Sequence, residues 1–195
     1  PHPGRRVRLF WYHEENDFED LAMRPVYFYG AMSLDGYLAN DHDGLQWLFD
    51  TDLAGQSTYP DFEKRIDTLV MGRATYDTTL SMLGDEPFYP GMRKVVFTHA
   101  DWTSSADTEF VSGDVVSVIQ KLQQQSGSGI WIVGGGQLVA DLLEAGVIAE
   151  LWVQIAPVLL GQGKRLFPEG DYLQRLEFIN QTQMGELSEL HYRVK

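Results

Sequence analysis

The sequence predicts an α/β fold, and three features carry that prediction. The apolar run Ile130-Trp131-Ile132-Val133 leads into Gly134-Gly135-Gly136 and then into apolar residues at helical spacing, which indicates strand, turn and helix. A second buried-strand run, Thr68-Leu69-Val70-Met71, also ends in a glycine, Gly72, ahead of a helical segment. Near the C-terminus, two alternating runs are separated by Gly185-Glu186, which predicts a hairpin.

The remaining elements follow in chain order. Val26 to Ser33 predicts the first strand, and Asp35-Gly36 predicts a turn directly after it. A short helix is expected over Tyr59 to Ile66. The later predicted elements are the strand Lys94 to Phe97, the helix Asp114 to Gln125 capped by Asp114, the helix Gln137 to Ala145, the strand Glu150 to Leu160, and the hairpin strands Leu176 to Met184 and Leu187 to Val194.

Length and composition favour one domain. The chain has 195 residues and 44% hydrophobic content, enough for a sizeable core. Residues 1–24 mix a basic patch, aromatics and an acidic run, and we interpret them as an N-terminal extension of uncertain order, with a partner-binding or dimer arm as the alternative. Residues 25–195 form the predicted single domain.

The charge balance constrains the partners. Acidic residues outnumber basic ones 28 to 15, for a net charge of −13, which weighs against binding to a nucleic-acid backbone. An anionic cofactor therefore needs a locally basic site or one built from backbone amides. There is no cysteine, and the five histidines form no metal-binding motif, so no metal is predicted. No run is long and apolar enough for a membrane span and there is no secretory leader, so we expect no membrane partner and a cytoplasmic protein.

The triple glycine favours an anion site. The first turn of a helix has backbone N–H groups without helical partners and a positive dipole, and glycine lets a phosphate approach the main chain. A tight turn with no ligand would explain Gly134-Gly135-Gly136 equally well. The motif Gly72-Arg73-Ala74-Thr75-Tyr76 adds a forked cation and a hydroxyl at the head of another helix. The pair predicts a pyrophosphate bound from two sides, although no G-x-G-x-x-G fingerprint occurs.

Four motifs in a fixed order resemble a known family. They are the segment Ala31 to Ala39 (Ala-Met-Ser-Leu-Asp-Gly-Tyr-Leu-Ala), Gly72-Arg73-x-Thr75, Gly134 to Gly136, and Ala156 to Phe167 (Ala-Pro-Val-Leu-Leu-Gly-Gln-Gly-Lys-Arg-Leu-Phe). Together they resemble the dihydrofolate reductase superfamily, and most closely its branch containing the reductase domain of riboflavin biosynthesis. The resemblance covers residues 25–195. It implies a three-layer α/β/α fold with a central mixed, mostly parallel sheet and a C-terminal antiparallel hairpin.

The resemblance implies NADPH as cofactor. Ala31 would offer backbone groups to the carboxamide, Leu38 and Ala39 would cover the nicotinamide ring, and Thr98 would suit the adenosine ribose or its 2′-phosphate. A strand-end cap is the alternative for Thr98. The implied cofactor-binding residues are Ala31, Leu38, Ala39, Gly72, Arg73, Thr75, Thr98, Val133, Gly134, Gly135, Gly136, Gln137 and Leu138.

Substrate contacts are less specific. The implied substrate-binding residues are Ser33, Asp35, Trp47, Thr58 and Phe62. Asp35 is either a turn former or a carboxylate facing substrate, and Trp47 either plugs the sheet edge or stacks on a planar ring. The resemblance sets Phe62 beside the substrate ring and Thr58 where folate reductases carry a carboxylate, so Asp35 and Thr58 are weak catalytic candidates only. The pair Lys164-Arg165 either binds a substrate phosphate or is a solvated turn.

The resemblance implies an enzyme, an NADPH-dependent reductase of a planar pyrimidine or pterin-like substrate. The nearest activity is reduction of 5-amino-6-(5-phosphoribosylamino)uracil in riboflavin biosynthesis, without a fused zinc deaminase because the chain has no cysteine. A dihydrofolate reductase and a nucleotide-binding module without turnover are the alternatives. A homodimer is expected because the riboflavin-type relatives commonly pair.

Overall fold

The computed structural model describes residues 23–195. The predicted N-terminal extension therefore lies outside the described residues except for its last two positions. The elements are β1 Val26–Ser33, β2 Tyr37–Ala39, α1 Gln46–Phe49, α2 Tyr59–Glu63, β3 Ile66–Gly72, α3 Arg73–Leu83, β4 Arg93–Phe97, β5 Thr108–Val111, α4 Val115–Gln123, β6 Gly129–Gly134, α5 Gly136–Glu144, β7 Glu150–Ala156, β8 Lys164–Arg165, β9 Leu176–Met184 and β10 Leu187–Val194.

The main sheet has eight strands in the order β5-β4-β3-β6-β1-β7-β10-β9. The first six run parallel, and β10 and β9 add an antiparallel edge. A small second sheet pairs β2 with β8. The mixed, mostly parallel sheet with a C-terminal hairpin confirms the fold class that the sequence predicts.

Helices cover both faces of the sheet. One core contains Phe28, Ile132 and apolar residues of α4 and α5, whose stripes face the strands. On the opposite face, α2 and α3 cover a core rich in aromatic rings, among them Trp131 and Trp152. The predicted cap of α4 is present, because the carboxylate of Asp114 accepts a hydrogen bond from the backbone N–H of Ser117 at 2.8 Å.

Several boundaries differ from the sequence prediction. Strand β7 ends at Ala156 rather than Leu160, because Pro157 has no N–H to continue the ladder and the chain turns with a bond from the N–H of Val158 to the carbonyl of Ala156. Helix α2 ends at Glu63, which leaves Ile66 to begin β3. The short elements β2, α1, β5 and β8 were not predicted, since each has only two to four residues and shows no clear periodicity.

Across residues 23–195, no helix combines the length and the apolar character that a membrane crossing requires.

Candidate active site

The two glycine motifs meet at one edge of the sheet. Strands β3 and β6 are parallel neighbours, and Met71 stands opposite Gly134 in their register. Their carboxyl ends therefore lie together, which is where open α/β sheets bind ligands. A Cβ atom added to Gly134 would lie 3.5 Å from both Oγ1 and Cγ2 of Thr75. The glycine turn and the Gly72-Arg73-x-Thr75 motif thus form one contiguous surface.

Helix α5 presents free backbone donors at this surface. Its first helical bond runs from the N–H of Val139 to the carbonyl of Gly135, at 3.1 Å, so the N–H groups of Gly136, Gln137 and Leu138 precede the hydrogen-bonded ladder. Gly135 has φ of 99°, a conformation that favours glycine. The side chain of Leu138 lies in the core, which leaves only its backbone for a ligand.

Gly136 has a different role from its neighbours. A Cβ atom there would stand 1.9 Å from the carbonyl oxygen of Arg165. The glycine is therefore required by the close approach of β8 and not by a ligand. Beside it, the exposed Lys164 forms an ion pair with Asp43, and the guanidinium of Arg165 lies 4.8 Å from the ring centre of Tyr37.

Arg73 is oriented by two neighbours. Its Nε donates to both carboxylate oxygens of Asp77, at 2.7 and 2.8 Å, and its Cζ lies 3.4 Å from the ring centre of Trp102. Within the described part of the chain, Nη1 of Arg73 is the one buried side-chain N or O atom with no hydrogen-bond partner. A buried donor without an acceptor is costly, and an anion would satisfy it. The residues present therefore fit a phosphate-bearing cofactor.

Thr98 lies one strand further along the same edge. It follows β4, in which Phe97 stands opposite Gly72. Its hydroxyl accepts a hydrogen bond from the N–H of Ala100 at 3.1 Å, as in a strand-end turn. The hydroxyl retains its capacity to donate to a ligand.

At the end of β1, Ser33 and Asp35 connect two loops. The hydroxyl of Ser33 donates to Oδ1 of Asp35 at 2.6 Å and accepts from the N–H of Tyr37 at 3.0 Å. Asp35 Oδ2 also accepts from the N–H groups of Leu160 and Gly161, at 3.1 and 2.7 Å. The Ser33 hydroxyl and these two amides lower the pKa of Asp35 to about 2. Asp35 thus binds the β1–β2 turn to the loop after β7.

The other predicted cofactor and substrate residues lie around the same edge. Ala31, Leu38 and Val133 are half-buried, and Ala39 is buried beneath Gly163, whose added Cβ would lie 2.1 Å from the carbonyl oxygen of Ala39. Trp47 is half-buried, and its Nε1 donates to the carbonyl of Gly44 at 3.2 Å.

Thr58 belongs to a closed hydrogen-bond network. Its hydroxyl lies 2.9 Å from the hydroxyl of Tyr29 and 2.7 Å from Oε2 of Glu189. Gln154 Nε2 donates to the hydroxyl of Tyr29 at 2.7 Å and to Oε2 of Glu189 at 2.8 Å. Three elements or their flanks thus place polar groups around the Glu189 carboxylate of β10, because Tyr29 lies on β1, Thr58 precedes α2 and Gln154 lies on β7.

Tyr29, Gln154 and Glu189 were missed in the sequence. Glu189 is 2% exposed and lies between two other inward-facing residues of β10, Leu187 and His191. A charged residue at an inward position of an alternating strand was the available signal. Its partners could not be inferred, because they lie far away in sequence.

Phe62 lies just inside this network. It is 3% exposed, and its ring stacks on that of Tyr29 with centroids 4.5 Å apart and an interplanar angle of 22°. Burial of Tyr29 is the main cause that raises the pKa of its hydroxyl, so this hydroxyl stays a neutral donor at physiological pH. The aromatic core thus fixes the position of the polar network above it.

A surface hollow lies at a different part of the sheet. It has a volume of about 480 Å³ and is lined by residues that precede or begin β4 and β5, including Arg93, Asp107 and Glu109. These are the amino ends of parallel strands, at the edge opposite to the glycine turn. Ligands of open α/β sheets bind at carboxyl ends, so we place the candidate site at the glycine edge.

Comparison with known families agrees with this geometry. The model of the RibD C-terminal domain matches residues 25–188. The chain belongs to the RibD C-terminal domain family. Among curated proteins, YwjB of Bacillus subtilis, named as an uncharacterized protein, is 31% identical over 172 residues, which are 87% of this chain and 97% of that protein.

Solved structures support the same assignment to the RibD C-terminal domain family. A "putative riboflavin biosynthesis protein" of Shewanella sp. PV-4 matches with a TM-score of 0.76 and 28% identity, over 89% of this chain and 99% of that one. Dihydrofolate reductase of Enterococcus faecalis, solved with NADP(H), matches with a TM-score of 0.57 over 88% and 96% of the chains, but at 18% identity it shows the fold alone.

Proposed function

We propose that this RibD-type domain is an NADPH-dependent reductase of a planar pyrimidine or pterin-like substrate. The observation that carries the proposal is the contact between the two glycine motifs, in which Gly134 lies against Thr75 at the carboxyl ends of β3 and β6. Neither motif alone is specific for a nucleotide. Together they offer amides and a hydroxyl to a pyrophosphate and a guanidinium to a further phosphate of the same cofactor.

The cofactor would lie across this edge. The N–H groups of Gly136, Gln137 and Leu138 and the Thr75 hydroxyl would bind its pyrophosphate, while Gly72, Gly134 and Gly135 leave the backbone open to it. Arg73 and Thr98 would bind the adenosine ribose and its 2′-phosphate. Asp77 and Trp102 already hold the Arg73 guanidinium, which reduces the entropic cost of ordering it on binding. Ala31, Leu38, Ala39 and Val133 would surround the nicotinamide.

When bound, the cofactor supplies the hydride, so the protein need only position two rings and exclude water. On the substrate side, Trp47, Phe62, Thr58, Ser33 and Asp35 are the predicted contacts. The hydrogen bonds of Ser33 and Asp35 favour a supporting role for both, because their polar atoms already join two loops. Thr58 is half-exposed as a residue, and its hydroxyl bonds to Tyr29 and Glu189.

The choice of the first substrate to test comes from the name of one protein of similar fold. A Thermotoga maritima protein with a TM-score of 0.63 and 16% identity is named as a deaminase and a 5-amino-6-(5-phosphoribosylamino)uracil reductase, and this chain spans 57% of it. We therefore take the ribosylaminouracil as the first substrate to test and dihydrofolate as the second. A homodimer stays a prediction, to be tested by the mass of the purified protein in solution.

Turnover can be followed by the loss of NADPH absorbance. Consumption with the ribosylaminouracil and not with dihydrofolate would support the riboflavin-type reductase, and the reverse would support a folate reductase. Binding of NADPH without consumption across a panel of pyrimidines and pterins would favour the module without turnover.

A further inference from the structure

We propose that Glu189 is the residue that recognises the substrate ring, and that it selects heterocycles with adjacent N–H donors. This inference rests on the proposed function, because it assigns a substrate class to the same site. Glu189 is carried by β10, opposite Gln154 of β7, so its position is set by the antiparallel edge of the sheet.

The directions of the hydrogen bonds in the network follow from its chemistry. The amide of Gln154 has two hydrogens, and these go to the hydroxyl of Tyr29 and to Oε2 of Glu189. Tyr29, having accepted one hydrogen bond, donates its own proton to the Thr58 hydroxyl. Thr58 in turn donates to Oε2 of Glu189. Every proton of this hydrogen-bond network is therefore assigned, and Oε2 of Glu189 is used only as an acceptor.

The second oxygen of the carboxylate is left over. Among residues 23–195, no donor lies within hydrogen-bond distance of Oε1 of Glu189, although the residue is only 2% exposed. Among the described residues, Nη1 of Arg73 is the one fully buried side-chain N or O atom without a partner, so Oε1 of Glu189 keeps some contact with solvent, where a ligand donor can reach it. The adjoining Thr58 and Gln154 are half-exposed, so the network borders the surface from which a ligand would enter.

Other charges do not satisfy this carboxylate. The second glutamate on the same sheet face, Glu150, already pairs with His191 at 2.8 Å and with Arg193 at 3.5 Å. Glu189 forms no ion pair within the described part of the chain. Its Oε1 is therefore free to accept a hydrogen bond from a donor of the ligand.

The chemistry of the carboxylate defines the ligand. Oε1 of Glu189 can only accept hydrogen bonds. A ring N–H beside an exocyclic amino group presents two neighbouring donors, which match a carboxylate better than an isolated donor does. Aminopyrimidines and pterins carry such groups. A planar ring with acceptors only, such as a quinone, would face Oε1 with no proton to offer and would be disfavoured.

The test compares Glu189→Gln with Glu150→Gln, which removes a matched carboxylate from the same face of the sheet. The probes are 2,4-diaminopyrimidine, which has amino donors, and 2,4-dimethoxypyrimidine, which has the same ring without N–H donors. Binding is measured by calorimetry without cofactor, so the result does not depend on whether NADPH binds. Thermal unfolding of each variant checks that it is folded.

For the wild-type protein and Glu150→Gln, we expect the diamino ring to bind roughly 10- to 100-fold more tightly than the dimethoxy ring, from one charged hydrogen bond. In Glu189→Gln, the amide oxygen can replace Oε2 in the network, while its NH₂ group faces the ligand. This variant should fold and lose or reverse the preference. An unchanged preference in Glu189→Gln, or no preference in the wild-type protein, would overturn the assignment. A failure of NADPH binding, measured separately, would instead count against the reductase itself.

Discussion

Thr58 and Glu189 are 131 positions apart in the sequence, and the hydroxyl of Thr58 donates to Oε2 of Glu189 at 2.7 Å. This bond connects the segment before α2 to the last strand of the sheet. The resemblance sets Thr58 at the position where folate reductases carry a carboxylate, and the fold places the carboxylate of Glu189, on β10, beside that threonine. A carboxylate is therefore present beside Thr58 but comes from another element of the fold.

Replacing Thr58 with Val should destabilise the protein by about 1–3 kcal/mol, because the buried carboxylate loses a donor while the side chain keeps its shape. Chemical denaturation followed by tryptophan fluorescence measures the change in the free energy of unfolding. Thr58→Ser keeps the hydroxyl and is the matched control, expected to lose less. If Thr58→Val and Thr58→Ser lose the same free energy of unfolding, packing and not the hydrogen bond accounts for the effect.

Replacing Arg73 with Ala should weaken NADPH binding by roughly 1.5–3 kcal/mol and NADH binding much less, through loss of a charge-assisted phosphate contact. Cofactor fluorescence titrations measure both affinities. Arg93→Ala is the charge-matched control, since Arg93 pairs with Glu109 at the opposite edge of the sheet. If Arg73→Ala weakens both cofactors equally, the guanidinium does not contact the 2′-phosphate and at most binds the pyrophosphate.

Gly136 and Gly134 should respond differently to alanine. A Cβ atom at Gly136 would lie 1.9 Å from the carbonyl oxygen of Arg165, so Gly136→Ala should cost about 1–3 kcal/mol of stability or displace β8. At Gly134 the nearest atoms, in Thr75, are at an ordinary 3.5 Å. Gly134→Ala should therefore fold normally and lose affinity for the cofactor instead. Similar melting temperatures for both variants would refute the backbone contact.

Asp35 should make the stability of the protein depend on pH. Its pKa is lowered from 3.8 to about 2, so the ionised form stabilises the fold fully above about pH 4, and this contribution disappears as the pH falls toward 2. Asp35→Asn should thus unfold at a lower temperature than the wild-type protein at neutral pH. The gap should shrink as the pH decreases through this window. A constant gap from neutral pH to pH 2 would show that the charge of Asp35 is not involved.

The parts of the fold that could be predicted are those with a local signal. The hairpin strands Leu176–Met184 and Leu187–Val194 were predicted with their observed bounds, because alternation and the Gly185-Glu186 turn are both local. The strands that lead into Gly72 and Gly134 were evident from their apolar runs. The predicted position of the Asp114 cap also agrees with the structure.

The polar network was beyond such reasoning. Tyr29, Gln154 and Glu189 lie on three different strands, and their meeting depends on the strand order β1-β7-β10, which no local pattern gives. The short strand β5 was missed because four residues are too few to establish a period. The resemblance showed that Thr58 replaces the carboxylate of folate reductases, but a motif cannot show that another strand brings a carboxylate beside that position.

Titration of the wild-type protein with NADPH and, separately, with NADH decides whether the two glycine motifs bind a nucleotide. The readouts are the fluorescence of the cofactor and the quenching of the protein's tryptophans, of which Trp102 lies against Arg73. We expect tight binding of NADPH, with Trp102 contributing to the quenching, and weaker binding of NADH. Absence of binding by either cofactor would mean that the glycine turn and the Gly72-Arg73-x-Thr75 motif serve only the fold, which would contradict the proposed reductase.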